Sequence, residues 1–177
     1  IYLNNANLSP TQWRTIITNT PSTINAIVVA AAMNDLKLLH ALTSNLDNIN
    51  LTSTQWKTII STEPNTIAHI ALVAANGHPQ LLQALTPHLD NTFLSPTEWK
   101  TIISTASITI SHIASAASKR HPELLRALTA NADNINLSST QWKSIITEYP
   151  LTINAILLAA TANYPELLQA LIPHLND

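Results

Sequence analysis

The sequence contains no cysteine, a single glycine and few charged residues. Without cysteine the chain forms no disulfide and uses no thiolate chemistry, so cysteine usage leaves its compartment undecided. Charged residues make up only 10% of the chain, and its net charge of -2 gives no global attraction to nucleic acid or acidic membrane. Apolar runs are too short to span a membrane, and no signal-peptide pattern opens the sequence. We therefore expect no membrane partner and favour an intracellular location.

All four tryptophans lie in variants of one phrase, "LSPTQW", and follow one another at intervals of 43 residues. A fixed period of this size predicts a tandem array of supersecondary units. The units span 8–50, 51–93, 94–136 and 137–177, and residues 1–7 match the last seven positions of a unit. Since neither end resembles a polar capping repeat, we interpret the chain as a fragment of a longer array. The positions identical in all four units are, in the first, Leu8, Thr11, Trp13, Ile16, Ile17, Thr23, Ile24, Ile27, Ala31, Leu38, Leu39, Ala41 and Leu42.

The sequence of each unit predicts three short helices. Ser9, Pro10 and Gln12 form a capping-box pattern that begins the first helix. The second helix is predicted to start at a threonine N-cap such as Thr23, and the third near a proline such as Pro79. Strand patterns are absent from the sequence, which therefore predicts an all-α fold, an α-solenoid of four three-helix tandem repeats.

The turn between the second and third helices carries Asn34, Gly77, Arg120 and Asn163 in successive units. Glycine and asparagine tolerate the left-handed conformation that ends many helices, whereas arginine fits it poorly.

The tryptophans share a helix face with isoleucines that are identical in all four units, as Trp13 does with Ile16 and Ile17. This spacing favours packing within and between units. A row of tryptophans is also a candidate stacking platform for bases or sugars.

The second and third helices resemble the ankyrin repeat. In "TIAHIALVAANGHPQLLQAL" at 66–85, Thr66-Ile67-Ala68-His69 stands where that family has Thr-Pro-Leu-His, and "DNIN" at 47–50 is similar to the end of an ankyrin unit. The resemblance covers about half of each unit and implies a scaffold of stacked helices. The tryptophan helix stands where ankyrin units have a β-hairpin, and isoleucine replaces the family's proline in every copy.

Two weaker likenesses involve nucleic-acid-binding families. The segment "LSPTEWKTII" at 94–103 is similar to the opening helix of TAL-effector repeats, and the segment "IITEYP" at 145–150 is similar to mitochondrial terminator-type repeats. They imply nucleic acid as an alternative partner.

Positions that differ between units are free to contact a partner. On the second helices, one variable stripe lies opposite the constant residues at about 100° per residue. We predict that this stripe lines a concave protein-binding surface made by Asn25, Val29, Ala68, Leu72, Ser111, Ser115, Asn154 and Leu158.

One basic residue accompanies each tryptophan. A cation in every unit is typical of helical proteins that follow a phosphate backbone, but four cations in a chain of net negative charge give weak attraction. The nucleic-acid alternative would use Arg14, Lys57, Lys100 and Lys143.

Catalytic and metal-binding motifs are not recognisable in the sequence. His69 and His112 recur at one position, as do His78 and His121, but stacked helices lie about 8–10 Å apart, too far to share a metal ion. We interpret these histidines as N-caps and turn residues. Asp47, Asp90 and Asp133 precede asparagines, as turn residues do.

We therefore expect a protein-binding scaffold that is not an enzyme and uses no cofactor. Head-to-tail self-stacking through uncapped ends is expected as well, and a purely structural spacer is a further alternative.

Overall fold

Every described element of secondary structure is helical. The computed structural model describes residues 8–90, 93–130 and 136–175, and within those ranges it contains no strand. The all-α prediction is therefore confirmed. The predicted tail 1–7 and the turn residue Asp133 lie outside the described residues.

The same order of helices recurs along the chain. The first unit contains α1 (Pro10–Asn19), α2 (Ser22–Ala32), α3 (Lys37–Thr43) and the short α4 (Leu46–Ile49). The second contains α5 (Ser53–Thr62), α6 (Asn65–Ala75), α7 (Gln80–Leu85) and a 3-10 turn, Thr86–His88. The third contains α8 (Pro96–Thr105), α9 (Thr109–Ser118) and α10 (Glu123–Thr129). The fourth contains α11 (Ser139–Glu148), α12 (Leu151–Thr161), α13 (Glu166–Leu171) and a 3-10 turn, Ile172–His174.

The first helix of every unit begins with a capping box. In α1 the Gln12 backbone N–H donates to Ser9 Oγ at 3.3 Å, and the Ser9 N–H donates to Gln12 Oε1 at 2.9 Å. Thr52, Ser95 and Ser138 cap α5, α8 and α11 in the same way. These reciprocal bonds satisfy backbone donors that an α-helix leaves free at its start.

The second helices begin differently from the prediction. Pro64 (φ -56°) is the N-cap of α6, so Thr66 already lies inside the helix, where it is fully buried. Proline has a φ that suits the start of a helix, and the helix therefore forms immediately after it. Pro21 and Pro150 act likewise, and Ile108 takes this place in the third unit.

The second helices form the central layer. They pack in succession, α2 against α6, α6 against α9 and α9 against α12, while the first and third helices of each unit pack on their own second helix. Alanines fill much of this layer, including the fully buried Ala68, Ala71 and Ala114. Such small side chains allow neighbouring helices to approach closely.

The tryptophans lie in the core. Trp13, Trp56, Trp99 and Trp142 are each only 1–2% exposed. This confirms the packing interpretation and excludes a stacking platform on the folded surface.

The turn after each second helix contains the predicted left-handed residue. Asn34, Arg120 and Asn163 have φ of 71–72°, and Gly77 has φ of 93°. The residue after Arg120 donates its N–H back to the carbonyl of Ala116 at 3.0 Å, and equivalent bonds occur in the other three units. Arg120 therefore adopts a conformation that costs an L-residue about 1–2 kcal/mol because the turn requires it.

Candidate functional site

The predicted stripe on the second helices is divided between a buried and an accessible part. Ala68 is 0% and Ser111 7% exposed, so neither is available to a partner. The prediction for these two residues was wrong, because their position faces the second helix of the following unit. Asn25 occupies the same position and is partly buried, whereas Asn154 is exposed in the fourth unit.

Two histidines connect neighbouring second helices. His69 Nδ1 of α6 lies 2.8 Å from Asn25 Oδ1 of α2, and His112 Nδ1 of α9 lies 3.1 Å from the carbonyl oxygen of Ala68. Because a carbonyl oxygen can only accept, Nδ1 of His112 carries the proton. Both side chains lie within helices and bond to the preceding unit. The interpretation of these two histidines as caps or turn residues was therefore wrong.

The accessible part of the second helices keeps four of the predicted residues and differs from the prediction at one position of the second and third units. Val29, Leu72 and Ser115 are partly exposed and Leu158 is exposed, while His69 and His112 occupy the place that Ala68 and Ser111 were expected to have. These six residues, Val29, His69, Leu72, His112, Ser115 and Leu158, are named the lateral strip.

Burial affects the ionisation of the two histidines. It lowers the pKa of His69 below its ordinary value of 6.5. Burial also lowers the pKa of His112, and the nearby His69 lowers it further, against the hydrogen bond to Ala68, which raises it. Both imidazoles are therefore neutral near pH 7, and the lateral strip carries no charge there.

The row of basic residues is partly used within the fold. Arg14 Nε donates to the carbonyl oxygen of Ile49 at 2.7 Å, at the C-terminal end of α4. Lys57 Nζ lies 3.0 Å from Glu98 Oε1 of the next unit. Lys100 is partly exposed and Lys143 is exposed. Two of the four cations thus have partners of their own, which weakens the row as a phosphate-binding surface.

The Lys57 contact also changes Glu98. Partial burial raises the pKa of this carboxyl, but hydrogen bonds from Ser95 and Lys57 and the charge of Lys57 lower it more, so that the pKa lies below its usual value. Glu98 is therefore ionised at neutral pH, and the pair contributes to the junction between the second and third units.

A cleft of about 470 Å³ lies beside α5 and was not predicted from the sequence. Its walls carry hydroxyl groups together with a lysine, a histidine, an acidic side chain and an aromatic ring. The lining residues are Ser53, Thr54, Lys57, Thr58, Ser61, Thr62, His88, Asp90 and Phe93. The signal available in the sequence was the run of serines and threonines on the outer side of α5.

A serine–histidine hydrogen bond borders this cleft and recurs two units later. Ser53 Oγ and His88 Nδ1 are 2.9 Å apart, as are Ser139 Oγ and His174 Nδ1. The first and third units have proline and asparagine at these two positions in the sequence. The bond joins the start of the first helix to the 3-10 turn of its own unit, and both of its residues are replaced in the other two units.

The described residues contain neither a metal-binding cluster nor a single helix that could span a membrane. No group of three or more histidine or acidic side chains there could hold a metal ion. No single described helix is long and apolar enough to cross a membrane, and α11 and α12, which together meet that length, are bent by 105° relative to each other.

Comparison with known proteins finds no match to this chain among family models, curated proteins or solved structures. The ankyrin-like and TAL-effector-like resemblances therefore stay predictions.

Proposed function

We propose that the chain is an α-solenoid of four three-helix units and acts as a non-catalytic scaffold that binds a protein partner. The lateral strip is the binding surface in this proposal. The observation that supports this proposal is that the lateral strip crosses successive units and contains both apolar and polar side chains. The second helices beneath it pack directly on one another.

The chemistry of the lateral strip supports a peptide or protein surface. Leu72 offers an apolar contact, and Ser115 and the two partly exposed histidines offer hydrogen bonds, a combination typical of protein interfaces. Neutral histidines and the absence of acidic or basic residues from the strip give no preference for a highly charged ligand. The stacked second helices provide a rigid support, which lowers the entropic cost of binding.

Nucleic acid is less well supported as a partner. Arg14 and Lys57 bond to the fold itself, and the net charge of the chain is -2. A nucleic-acid binder of this kind should instead present its cations freely and lose affinity steeply as salt is raised.

Site-specific photo-crosslinking tests the proposal. A photoreactive residue placed at Leu72 or Ser115 should capture a protein in extracts, and the same residue at Thr101, exposed on α8, serves as the control. The captured protein is then purified, and its affinity is measured for the parent chain and for Leu72→Glu. We expect the substitution to weaken binding by about tenfold or more, because a charge would replace an apolar contact.

Two results would contradict this function. Equal capture at Leu72 and Thr101, or unchanged affinity of a correctly folded Leu72→Glu variant, would exclude the lateral strip. Salt-sensitive binding of a generic single-stranded or duplex nucleic acid, lost on changing Lys100 and Lys143 to Glu, would instead favour the basic row. The absence of binding at either surface would favour the structural spacer.

A further inference from the structure

We infer that the cleft beside α5 is a binding site for a neutral carbohydrate. This cleft belongs to the second unit and lies between the outer side of α5 and the chain that follows the 3-10 turn Thr86–His88. No residue of the lateral strip lines it, so the inference goes beyond the proposed protein binding and concerns a different surface. The cleft volume of about 470 Å³ is within the range of about 300–1,000 Å³ that is typical of small-molecule sites.

Hydroxyl groups form most of the wall of this cleft. Thr54, Thr58 and Ser61 are exposed and follow one another at intervals of four and three residues, so they lie along one face of α5. Most ligand sites are lined mainly by apolar side chains. Among the described lining residues of this cleft only Phe93 is apolar, and it is 6% exposed. A ligand of this cleft must therefore be polar over most of its own surface.

The charges in the wall favour a ligand without net charge. Lys57 Nζ lies 3.0 Å from Glu98 Oε1, so its charge is already balanced by a carboxylate. Asp90 places a further carboxylate in the wall, which would repel a phosphate or a carboxylate ligand. A cationic ligand would in turn meet the ammonium group of Lys57. An uncharged ligand avoids both costs.

Hydrogen-bond donors and acceptors stand side by side in the cleft. Thr58 Oγ1 donates its proton to the carbonyl oxygen of Thr54 at 2.9 Å, which leaves the lone pairs of this oxygen as acceptors. The ammonium group of Lys57 has three protons, more than its bond to Glu98 requires. Asp90 contributes acceptor oxygens. Adjacent hydroxyl groups of a sugar ring each donate and accept, so they can use such a mixed wall.

A second cavity extends the polar surface. It has a volume of about 520 Å³, lies at the junction of the first and second units, and is also lined by His88. Asp47, Asn50, Gln80 and Gln83 supply a carboxylate and three amides to its wall. Because His88 lines both cavities, they are adjacent, and an elongated ligand can contact both. We therefore expect an oligosaccharide to bind more tightly than the matching monosaccharide.

Nuclear magnetic resonance of the isotope-labelled chain tests the inference. The probes are glucose, galactose, mannose, xylose and N-acetylglucosamine, each as a monosaccharide and as a short oligosaccharide, with inorganic phosphate as the charged comparison. At concentrations up to about 10 mM, a range that detects weak binding, at least one saccharide should shift the backbone amide signals of Thr58, Ser61 and His88. Phosphate at the same concentrations should leave these signals in place.

Two matched double variants separate binding from stability. Thr58→Val with Ser61→Ala removes two hydroxyl groups from the cleft, and Thr101→Val with Ser104→Ala removes the equivalent groups from α8, in a unit that lacks the serine–histidine pair. Both threonines donate to a backbone carbonyl at 2.9 Å, so the two variants should lose the same stability. The first should weaken binding of the tightest saccharide by about tenfold or more, because each lost hydrogen bond reduces affinity severalfold. The second should change it by less than about twofold.

Three results would overturn the inference. The first is that no saccharide of the panel shifts the signals of the cleft residues in the parent chain. The second is equal loss of saccharide affinity in the two double variants, when circular dichroism shows that both are folded. The third is a larger shift of the cleft signals with phosphate than with any saccharide, which would make the cleft an anion site.

Discussion

Removal of one tryptophan side chain should destabilise the whole array. Trp56 is 1% exposed on α5, in a unit that has neighbours on both sides. A buried aromatic side chain removes about 150–250 Å² from water, which corresponds to roughly 4–6 kcal/mol at about 25 cal/mol per Å². Truncations of this kind typically cost about 3–5 kcal/mol, and we expect Trp56→Ala to fall in that range.

Urea denaturation followed by far-UV circular dichroism measures this loss. Because stacked units stabilise one another through their junctions, the weakened second unit should also broaden the transition. Trp56→Phe should lose less, since it keeps most of the apolar volume, and Met33→Ala should stay within about 0.5 kcal/mol of the parent. If Trp56→Ala unfolds at the same urea concentration as the parent and loses only ligand binding, the tryptophan is not a core residue.

Three further outcomes are expected. Stability should fall as the pH decreases from about 7.5 to 5, because folding lowers the pKa of His69 and His112 below the value of about 6.5 that they have in the unfolded chain. Protonation of these histidines therefore favours the unfolded chain. Urea titrations at several pH values should show a weaker pH dependence of stability for a variant with glutamine at both positions than for the parent. Arg120→Asn should raise the free energy of unfolding by up to about 1 kcal/mol, because asparagine tolerates the left-handed turn; a loss on urea denaturation would show that Arg120 makes a compensating contact. Ser53→Ala should lower stability by about 0.5–1.5 kcal/mol through the lost bond to His88, and no change on calorimetry would contradict a structural role for that bond.

The local structure was largely predictable because its signals lie within a few residues of one another. Ser9 and Gln12 determine the start of α1 through bonds between adjacent turns, and Asn34 tolerates the turn that ends α2. Burial of Trp56 followed from its spacing to Ile59 and Ile60 on one helix face. Such patterns need no knowledge of the neighbouring unit.

The candidate surface was harder to predict because its residues depend on contacts between units. The difference between Asn25 and Ala68 at this position suggested that the position has no structural role. In the structure, Asn25 accepts a bond from His69 through its side chain, and Ala68 accepts one from His112 through its backbone. The histidine of the next unit bonds to a side-chain oxygen at the first junction and to a backbone oxygen at the second, so only the first bond requires a particular side chain at this position. A single sequence does not distinguish this dependence from neutral drift.

The two kinds of histidine bond have different consequences for how such an array could be rearranged by recombination. Ser53 and His88 belong to one unit and would move together if whole units were exchanged, duplicated or deleted. Asn25 and His69 belong to neighbouring units, so any exchange at that junction would separate them. The first bond is kept wherever its unit is placed, whereas the second forms only when these two units are neighbours. Inserting a unit between the first and the second would therefore break the bond between Asn25 and His69 and leave the bond between Ser53 and His88 intact.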